Sequence, residues 1–263
     1  MLCSRRGKLS LLRLVVAVAL TFGWLFPLKW HRDRSLPSDY RLVSLNIQSQ
    51  ATDLHRAVET IRMFKPDFVC LQEIWHRPEL EKVESLLPDY RVLGAASGEF
   101  ERQSFNEGTF LAVRSDWSIE ASSLKEETAL LHVYRGDAKL VVVSIHAPRA
   151  KSFFPSGLRQ TVEEQVDKSE ELKEELAAIE GPIILAGDFN APESGPAFKI
   201  LGGRFHSAFE QAGSGLGQSF PSGFPVIRID HVMGTAEVDF TRYETHDFGS
   251  DHLGLVASFK ILP

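Results

Sequence analysis

Polar residues able to handle charge stand at the ends of apolar runs in six places: Leu45-Asn46, Leu71-Gln72-Glu73, Ile145-His146, Gly187-Asp188-Phe189-Asn190, Ile229-Asp230-His231 and Ser250-Asp251-His252. The last precedes its apolar run, residues 255–259; the others follow or end theirs. A single aspartate after a strand is ordinarily a turn residue or a helix cap, because its side chain bonds nearby backbone. Acids, amides and histidines recurring at the ends of separate strands point instead to one shared site.

That collection suits a phosphate ester, whose negative oxygens and poor leaving group demand a cation and a proton-handling system. Carboxylate and amide oxygens hold Mg²⁺, which keeps several waters and takes only one or two carboxylates from protein. Glu73, helped by Asn46 and Asp251, is an adequate ligand set, with Mn²⁺ as the alternative ion. No Cys/His spacing indicates zinc. An activated water needs a base, and Asp188 or the Asp230/His252 pair supplies one. Asn190 or His146 supplies a donor for charge building on the phosphorus oxygens. An acid behind a histidine fixes its tautomer and supports its charged form.

The elements that must position these residues are legible as alternating strands and helices. A strand at 41–45 ends at Asn46; a helix capped by Asp53 or Thr52 carries Leu54, Ala57, Val58, Ile61 and Phe64 at helical spacing and stops at Lys65-Pro66-Asp67. The apolar run 68–71 predicts a buried strand, and Cys70 within it reads as a packed residue, not a reactive thiol. Helices are predicted over 79–87 and 158–179, and strands over 90–94, 109–113, 129–134, 140–145, 183–186, 227–232, 237–240 and 255–259. The hairpin Arg135-Gly136-Asp137 implies antiparallel pairing beside parallel crossovers. Together they predict an α/β (α+β) fold in which two mixed β-sheets pack face to face with helices outside. The strand-ending polar residues would then collect along one edge. The aromatic segments Phe153-Phe154-Pro155 and Ser219-Phe220-Pro221-Ser222-Gly223-Phe224-Pro225 read first as closing a core edge, and second as substrate-contacting loops.

The chain of 263 residues, 43% hydrophobic and 24% charged, is ordinary for one globular domain. At that size neither disulfides nor a structural metal is needed for a core, so any metal serves function. Its two cysteines, Cys3 and Cys70, make no disulfide framework. Residues 1–30 place Arg5, Arg6 and Lys8 before an apolar stretch from Leu9 to Leu28, the pattern of a membrane anchor or signal segment. Residues 31–39 read as a linker and residues 40–263 as the catalytic domain. The small-residue pattern Ala17-Val18-Ala19 lies inside the apolar run and none follows its end, which favours an uncleaved single-pass anchor over secretion. Arg5, Arg6, Lys8 and Arg13 before the uncharged core, against Lys29, Arg32 and Arg34 after it, favour an extracytoplasmic domain. Residues 1–37 carry seven Lys/Arg and one Asp, so the remainder holds 22 basic and 34 acidic residues, a net −12. A domain that grips nucleic-acid backbones needs clustered cations, so nucleic acid is disfavoured as a substrate. A monomer is expected.

Taken in order, the six segments, extended to Ser144-Ile145-His146-Ala147-Pro148 and Arg228-Ile229-Asp230-His231, resemble the motif set of the endonuclease/exonuclease/phosphatase superfamily across residues 40–260 or so. That resemblance implies a four-layer sandwich and Mg²⁺-dependent hydrolysis of phosphate esters. It carries Glu73 onto the principal metal ligand, Asn46 and Asp251 onto further metal-site residues, and Asp188 with Asn190 onto the pair that positions water and phosphate. His252 matches the histidine near the phosphorus and Asp230 its orienting acid. His146 stands where lipid- and small-molecule-cleaving members often have histidine. Leu253-Gly254 departs from many relatives, which place a polar or aromatic residue and then proline after Asp-His; the departure touches the rim.

The leading expectation is therefore a membrane-anchored phosphodiesterase or phosphatase acting on lipid head groups or small phosphate esters. An extracytoplasmic endonuclease or exonuclease is the enzymatic alternative. A catalytically silent membrane-anchored scaffold is the non-enzymatic one, and against it every expected site position is filled.

Overall fold

The computed structural model describes residues 37–48, 52–94, 108–125, 127–150 and 154–262. The anchor segment, 1–30, and most of the linker lie outside the described residues. Among the described residues no helix is long and apolar enough to cross a membrane.

Two six-stranded mixed sheets face each other. The first runs β11-β12-β1-β2-β4-β3 and the second β5-β6-β7-β8-β10-β9. In the first sheet β1 is Tyr40–Asn46, β2 Phe68–Gln72, β3 Tyr90–Gly94, β4 Phe110–Arg114, β11 Val238–Asp247 and β12 Leu253–Ile261. In the second β5 is Ser118–Lys125, β6 Thr128–Arg135, β7 Ala138–His146, β8 Ile183–Asp188, β9 His206–Ser207 and β10 Asp230–Gly234. The helices are α1 Leu54–Phe64, α2 Arg77–Leu86, α3 Pro155–Ala177, α4 Pro196–Leu201 and α5 Ala208–Ala212.

The central strands are apolar on both faces because both faces are covered. Along β8, Ile184 and Ala186 join the core between the sheets, while Ile183 and Leu185 pack with Leu172 and Leu176 of α3 and Phe198 and Leu201 of α4. In the first sheet, Leu42, Phe68 and Cys70 face the second sheet, and Val43, Leu45, Val69 and Leu71 pack against Ala57, Val58 and Ile61 of α1 and Leu80 and Val83 of α2. The result is the expected four-layer sandwich. Burial pushes the Cys70 thiol up to about 12, with a smaller opposing effect of the Ser144 hydroxyl, so it is an inert core residue.

Local chemistry sets the ends of the elements. Asp53 accepts from the backbone N–H groups of His55 and Arg56 at the start of α1, and Lys65, in the left-handed region at φ 47°, ends it before Pro66. Pro155 opens α3 three residues earlier than apolar spacing alone indicates. The edge strands β5 and β9 and the short helices α4 and α5 are additions to the predicted elements. β5 is polar and largely exposed, so it carries no apolar alternation to read.

Parallel pairing places the site. β1 and β2 run parallel with Asn46 opposite Gln72, and β7 and β8 run parallel with His146 opposite Asp188. β10 is antiparallel to β8 with Asp230 opposite Asp188, and β12, antiparallel to β1, starts just after Asp251-His252. The C-terminal ends of β1, β2, β7 and β8 and the starts of β10 and β12 therefore meet at one edge.

The β7–β8 approach depends on Gly187, at φ 151°, where a Cβ would lie 1.9 Å from the carbonyl oxygen of Ile145. Gly187→Ala is expected to destabilise the protein by about 3 kcal/mol or more, read in denaturant unfolding; unchanged stability would show that the strands can separate at little cost.

Candidate active site

Asn46, Glu73, His146, Asp188, Asp230 and His252 are all buried at this edge. The Asn46 amide Nδ2 donates to Glu73 Oε1 at 3.1 Å and to Asp188 Oδ2 at 3.0 Å, joining a carboxylate that follows the first sheet's β2 to one that ends the second sheet's β8. Its Oδ1 accepts from the Gln48 N–H at 3.0 Å. Glu73 and Asn190 both adopt left-handed backbone, φ 61° and 48°, a conformation uncommon outside glycine, so the turns after β2 and β8 are held by their surroundings. Those surroundings are specific: Asn190 N–H donates to Asp188 Oδ1 at 2.7 Å, and Asn190 Nδ2 donates to the Ala147 carbonyl at 2.9 Å. From α3, Gln165 Nε2 donates to the carbonyls of Pro148, 2.7 Å, and Asn190, 3.1 Å.

His252 Nδ1 lies 2.9 Å from Asp230 Oδ2, so the acceptor carboxylate places a proton on Nδ1, and Nε2 lies 3.9 Å from Asp188 Oδ2. Burial lowers this imidazole's pKa, but the Asp230 bond and the charges of Asp230, Asp188 and Asp251 outweigh that and hold it at about 9. His252 is thus an imidazolium at neutral pH. The Phe220 ring lies against it, 4.7 Å between centroids. Ser250 Oγ donates to the Asn46 carbonyl at 2.7 Å, tying the start of β12 to the end of β1. Asp188 moves the same way for a different reason: burial, then the Asp230 charge, raises its carboxyl above the ordinary range.

Among the described residues, two groups of three have ligand atoms within 4.8 Å of one another, Glu73 with His146 and Asp188, and Asp188 with Asp230 and His252. His146 Nε2 is 3.6 Å from Glu73 Oε1, and neither of its buried ring nitrogens has a hydrogen-bond partner among the described residues. A buried imidazole without a partner, beside two carboxylates bridged only by a neutral amide, fits a divalent cation: the charge would be balanced and the orphaned nitrogen explained. Oxygen donors in the majority suit Mg²⁺ or Mn²⁺. Asp251 sits at the rim of this cup, half-buried, its carboxyl raised chiefly by burial and then by the charge of Glu73 after His252 has opposed it. It stands outside both groups of three, whereas His146 and Asp188 stand beside Glu73. Arg149 Nη1 reaches to 3.9 Å of Glu73 Oε1 from an exposed position.

His231 escaped selection as a site residue, although it adjoins Asp230. Its Nε2 donates to the Ala191 carbonyl at 2.9 Å, and the ring lies between Phe189 and Phe198. Burial, followed by the Arg228 charge, pulls its pKa down to about 3, so it stays a neutral donor that fixes the loop after Asn190. Ser219, whose Oγ accepts from the Asp230 N–H at 3.2 Å, was read only as part of an aromatic segment. The periodicity of the sequence gives no signal for either contact.

The Endonuclease/Exonuclease/phosphatase family model matches residues 43–252 of the chain. No curated protein sequence matches it. Among solved structures, an endonuclease/exonuclease/phosphatase family protein from Bacteroides thetaiotaomicron superposes with a TM-score of 0.67 at 16% identity, over 87% of this chain and 99% of that one. Mannosyl-6-phosphatase Bt3783 from Bacteroides thetaiotaomicron VPI-5482 superposes at 0.65 and 16% identity, over 85% and 100%. D. rerio TDP2 complexed with a single-strand DNA product gives 0.65 and 15%, over 84% and 98%. At these identities the likeness concerns the fold, and in those chains the sandwich is nearly the whole protein.

Because the His252 pKa of about 9 lies above the ordinary value of 6.5, its charge stabilises the fold fully below about pH 6.5 and that contribution is lost as pH rises through 9. In Asp230→Asn the leading opponent of burial is gone, so the His252 pKa, followed by NMR in metal-free protein, is expected to fall by more than one unit; an unchanged value would show that the pair does not act as described.

Proposed function

Since the chain belongs to the Endonuclease/Exonuclease/phosphatase family, a family of phosphoester hydrolases, we propose that it is a Mg²⁺-dependent phosphodiesterase or phosphatase acting on lipid head groups or small phosphate esters. The observation that carries the reading is the buried cup of Glu73, Asp188 and Asp230 with His146 and His252 at one strand edge. The net −12 of the chain beyond residue 37 supports a small or neutral-bodied ester over a long polyanion. The apolar segment from Leu9 to Leu28 supports tethering of an extracytoplasmic domain to a membrane.

In hydrolysis a water oxygen bonds to phosphorus, the ester P–O bond breaks, and the alcohol leaves with a proton. Glu73, Asp188 and Asn46, with His146 beside them and Asp251 at the rim, would hold the divalent ion. When bound, the ion supplies positive charge to the phosphoryl oxygens and to the oxygen that develops charge as the ester breaks. Asp188, whose Oδ2 lies 3.9 Å from His252 Nε2 at the border of the cup, would orient the attacking water and accept its proton. His252, held protonated by Asp230, turns its Nε2 toward the same cup, where its charge offsets charge building on phosphorus oxygens. Asn190, fixed by Asp188 and Ala147, positions the phosphate.

Residues 38–263 are expected to hydrolyse a simple phosphodiester or monoester with Mg²⁺ and to lose that activity in EDTA, and His252→Ala is expected to lower kcat by roughly 10²–10⁴-fold. Sphingomyelin, phosphoinositides and nucleic acids assayed in parallel resolve the substrate class. Full activity in EDTA, or in His252→Ala, would overturn the mechanism.

A further inference from the structure

A cavity of about 660 Å³ lies beside the candidate active site, its walls including Phe209, Leu216, Gln218, Val226, Ile227 and Arg228. That size falls within the range of small-molecule sites. Two segments build it, and both lead directly into the site: Pro192 and Glu193 follow Asn190, and Arg228 stands two residues before Asp230. The hairpin between Gln218 and Arg228 is tied to the catalytic edge. Phe220 and Ile227 exchange backbone bonds of 3.0 and 3.1 Å, Ser222 N–H donates to the Asp251 carbonyl at 2.6 Å, and Ser222 Oγ donates to the Ser250 carbonyl at 2.6 Å.

This anchored hairpin holds apolar side chains in water. Phe224 is 77% exposed, Val226 46% and Ile227 37%, within four positions of one another. Singly, exposed apolar residues mean little; clustered at the mouth of a cavity next to a reacting centre they mark a surface that gains from an apolar occupant. Arg228 adds one polar feature. It pairs with Glu193 and lies over the Phe209 ring, 3.9 Å from its centroid, so its charge is balanced within the wall. Glu193 and Glu210 in the wall repel a second phosphate, so the occupant carries its charge elsewhere.

We propose that this cavity is the subsite for the alcohol portion of an amphipathic phosphate ester, a hydrocarbon chain joined to the phosphate that reacts among Asp188, Asn190 and His252. The inference rests on the hydrolase reading and narrows its substrate class. The chain lies along Leu216, Val226 and Ile227.

Two measurements on residues 38–263 separate this inference from the hydrolase reading. Binding of 1-alkanols from butanol to octanol, the alcohols such esters release, is followed by calorimetry in EDTA. Hydrolysis of methyl, butyl, hexyl and octyl phosphate monoesters, and of the corresponding methyl alkyl diesters, is followed with Mg²⁺ by the long-chain alkanol released. Affinity and kcat/KM are both expected to rise about twofold to fourfold per added methylene. Val226→Asp and Ile227→Asp, checked by thermal unfolding, lose this dependence, while Met63→Asp, at an exposed position on α1, keeps it. The octyl ester as monomer and in phospholipid vesicles distinguishes a soluble from a bilayer source of the chain. Flat dependence on chain length in the unaltered protein, or an unchanged dependence in Val226→Asp and Ile227→Asp, would overturn the subsite. Alkanol binding that rises with length, without turnover of any ester, would instead overturn the hydrolase reading.

Discussion

One side-chain amide holds the two halves of the site together. Asn46, the last residue of β1, offers both of its Nδ2 hydrogens, one to Glu73 and one to Asp188, and so joins the edges of two different sheets. Just beneath, Gln72 Nε2 donates to Ser144 Oγ at 3.0 Å, a second polar crossing between the sheets. An amide satisfies hydrogen-bonding capacity without supplying charge, so the two carboxyl groups are drawn close with no countercharge between them. That is costly in a buried setting unless a cation balances it. The geometry of the sandwich and the demand for a metal are thus two aspects of one contact. Everything else at the edge serves to keep it in register: Gly187 lets β8 approach β7, and Ser250 ties the start of β12 to the Asn46 carbonyl.

Three titrating groups show how the surroundings divide the work. Burial dominates at Asp188 and raises its pKa; partners dominate at His252 and keep it charged; burial again dominates at His231 and keeps it neutral. Two histidines separated in sequence by 20 intervening residues therefore have opposite characters for a plain reason. Asp230 faces His252, and a backbone carbonyl with two aromatic rings faces His231. Pushing apart the pKa values of neighbouring groups is how one site holds acid and base forms together.

Much of this was legible because strands announce their ends. An apolar run that stops at an acid, an amide or a histidine marks the sheet edge, and Asn46, His146 and Asp188 stand where those stops place them, whereas Asp230 opens β10 instead of ending a strand. Two facing mixed sheets were legible in parallel crossovers beside a hairpin, and the four-layer sandwich in the family resemblance. What sequence could not supply was distance. Nothing in the spacing of Glu73, His146 and Asp188 says that they lie within one coordination radius, or that Asp251 sits at the rim. The segment from Ser219 to Pro225 was read first as closure of a core edge, yet Phe220 lies against His252 and Phe224 faces water. A proline-rich hairpin with a single bridge, Phe220 to Ile227, has no periodicity to betray its path. The strand predicted to begin at residue 227 begins at Asp230 because Ile227 is engaged in that bridge.

The subsite and the cup share these short connections, since the loop after Asn190 and the hairpin before Asp230 each contribute to both. The central claim, that bridged buried carboxylates at this edge are a cation site, is tested most directly by thermal unfolding of residues 38–263 across a titration of Mg²⁺ and Mn²⁺. A ligand bound only by the folded state stabilises it by about 2.7 kcal/mol at a hundredfold excess over Kd, so Tm is expected to climb with ion concentration. That rise should disappear in Glu73→Gln. A Tm indifferent to both ions, or a rise that persists undiminished in Glu73→Gln, would contradict the account.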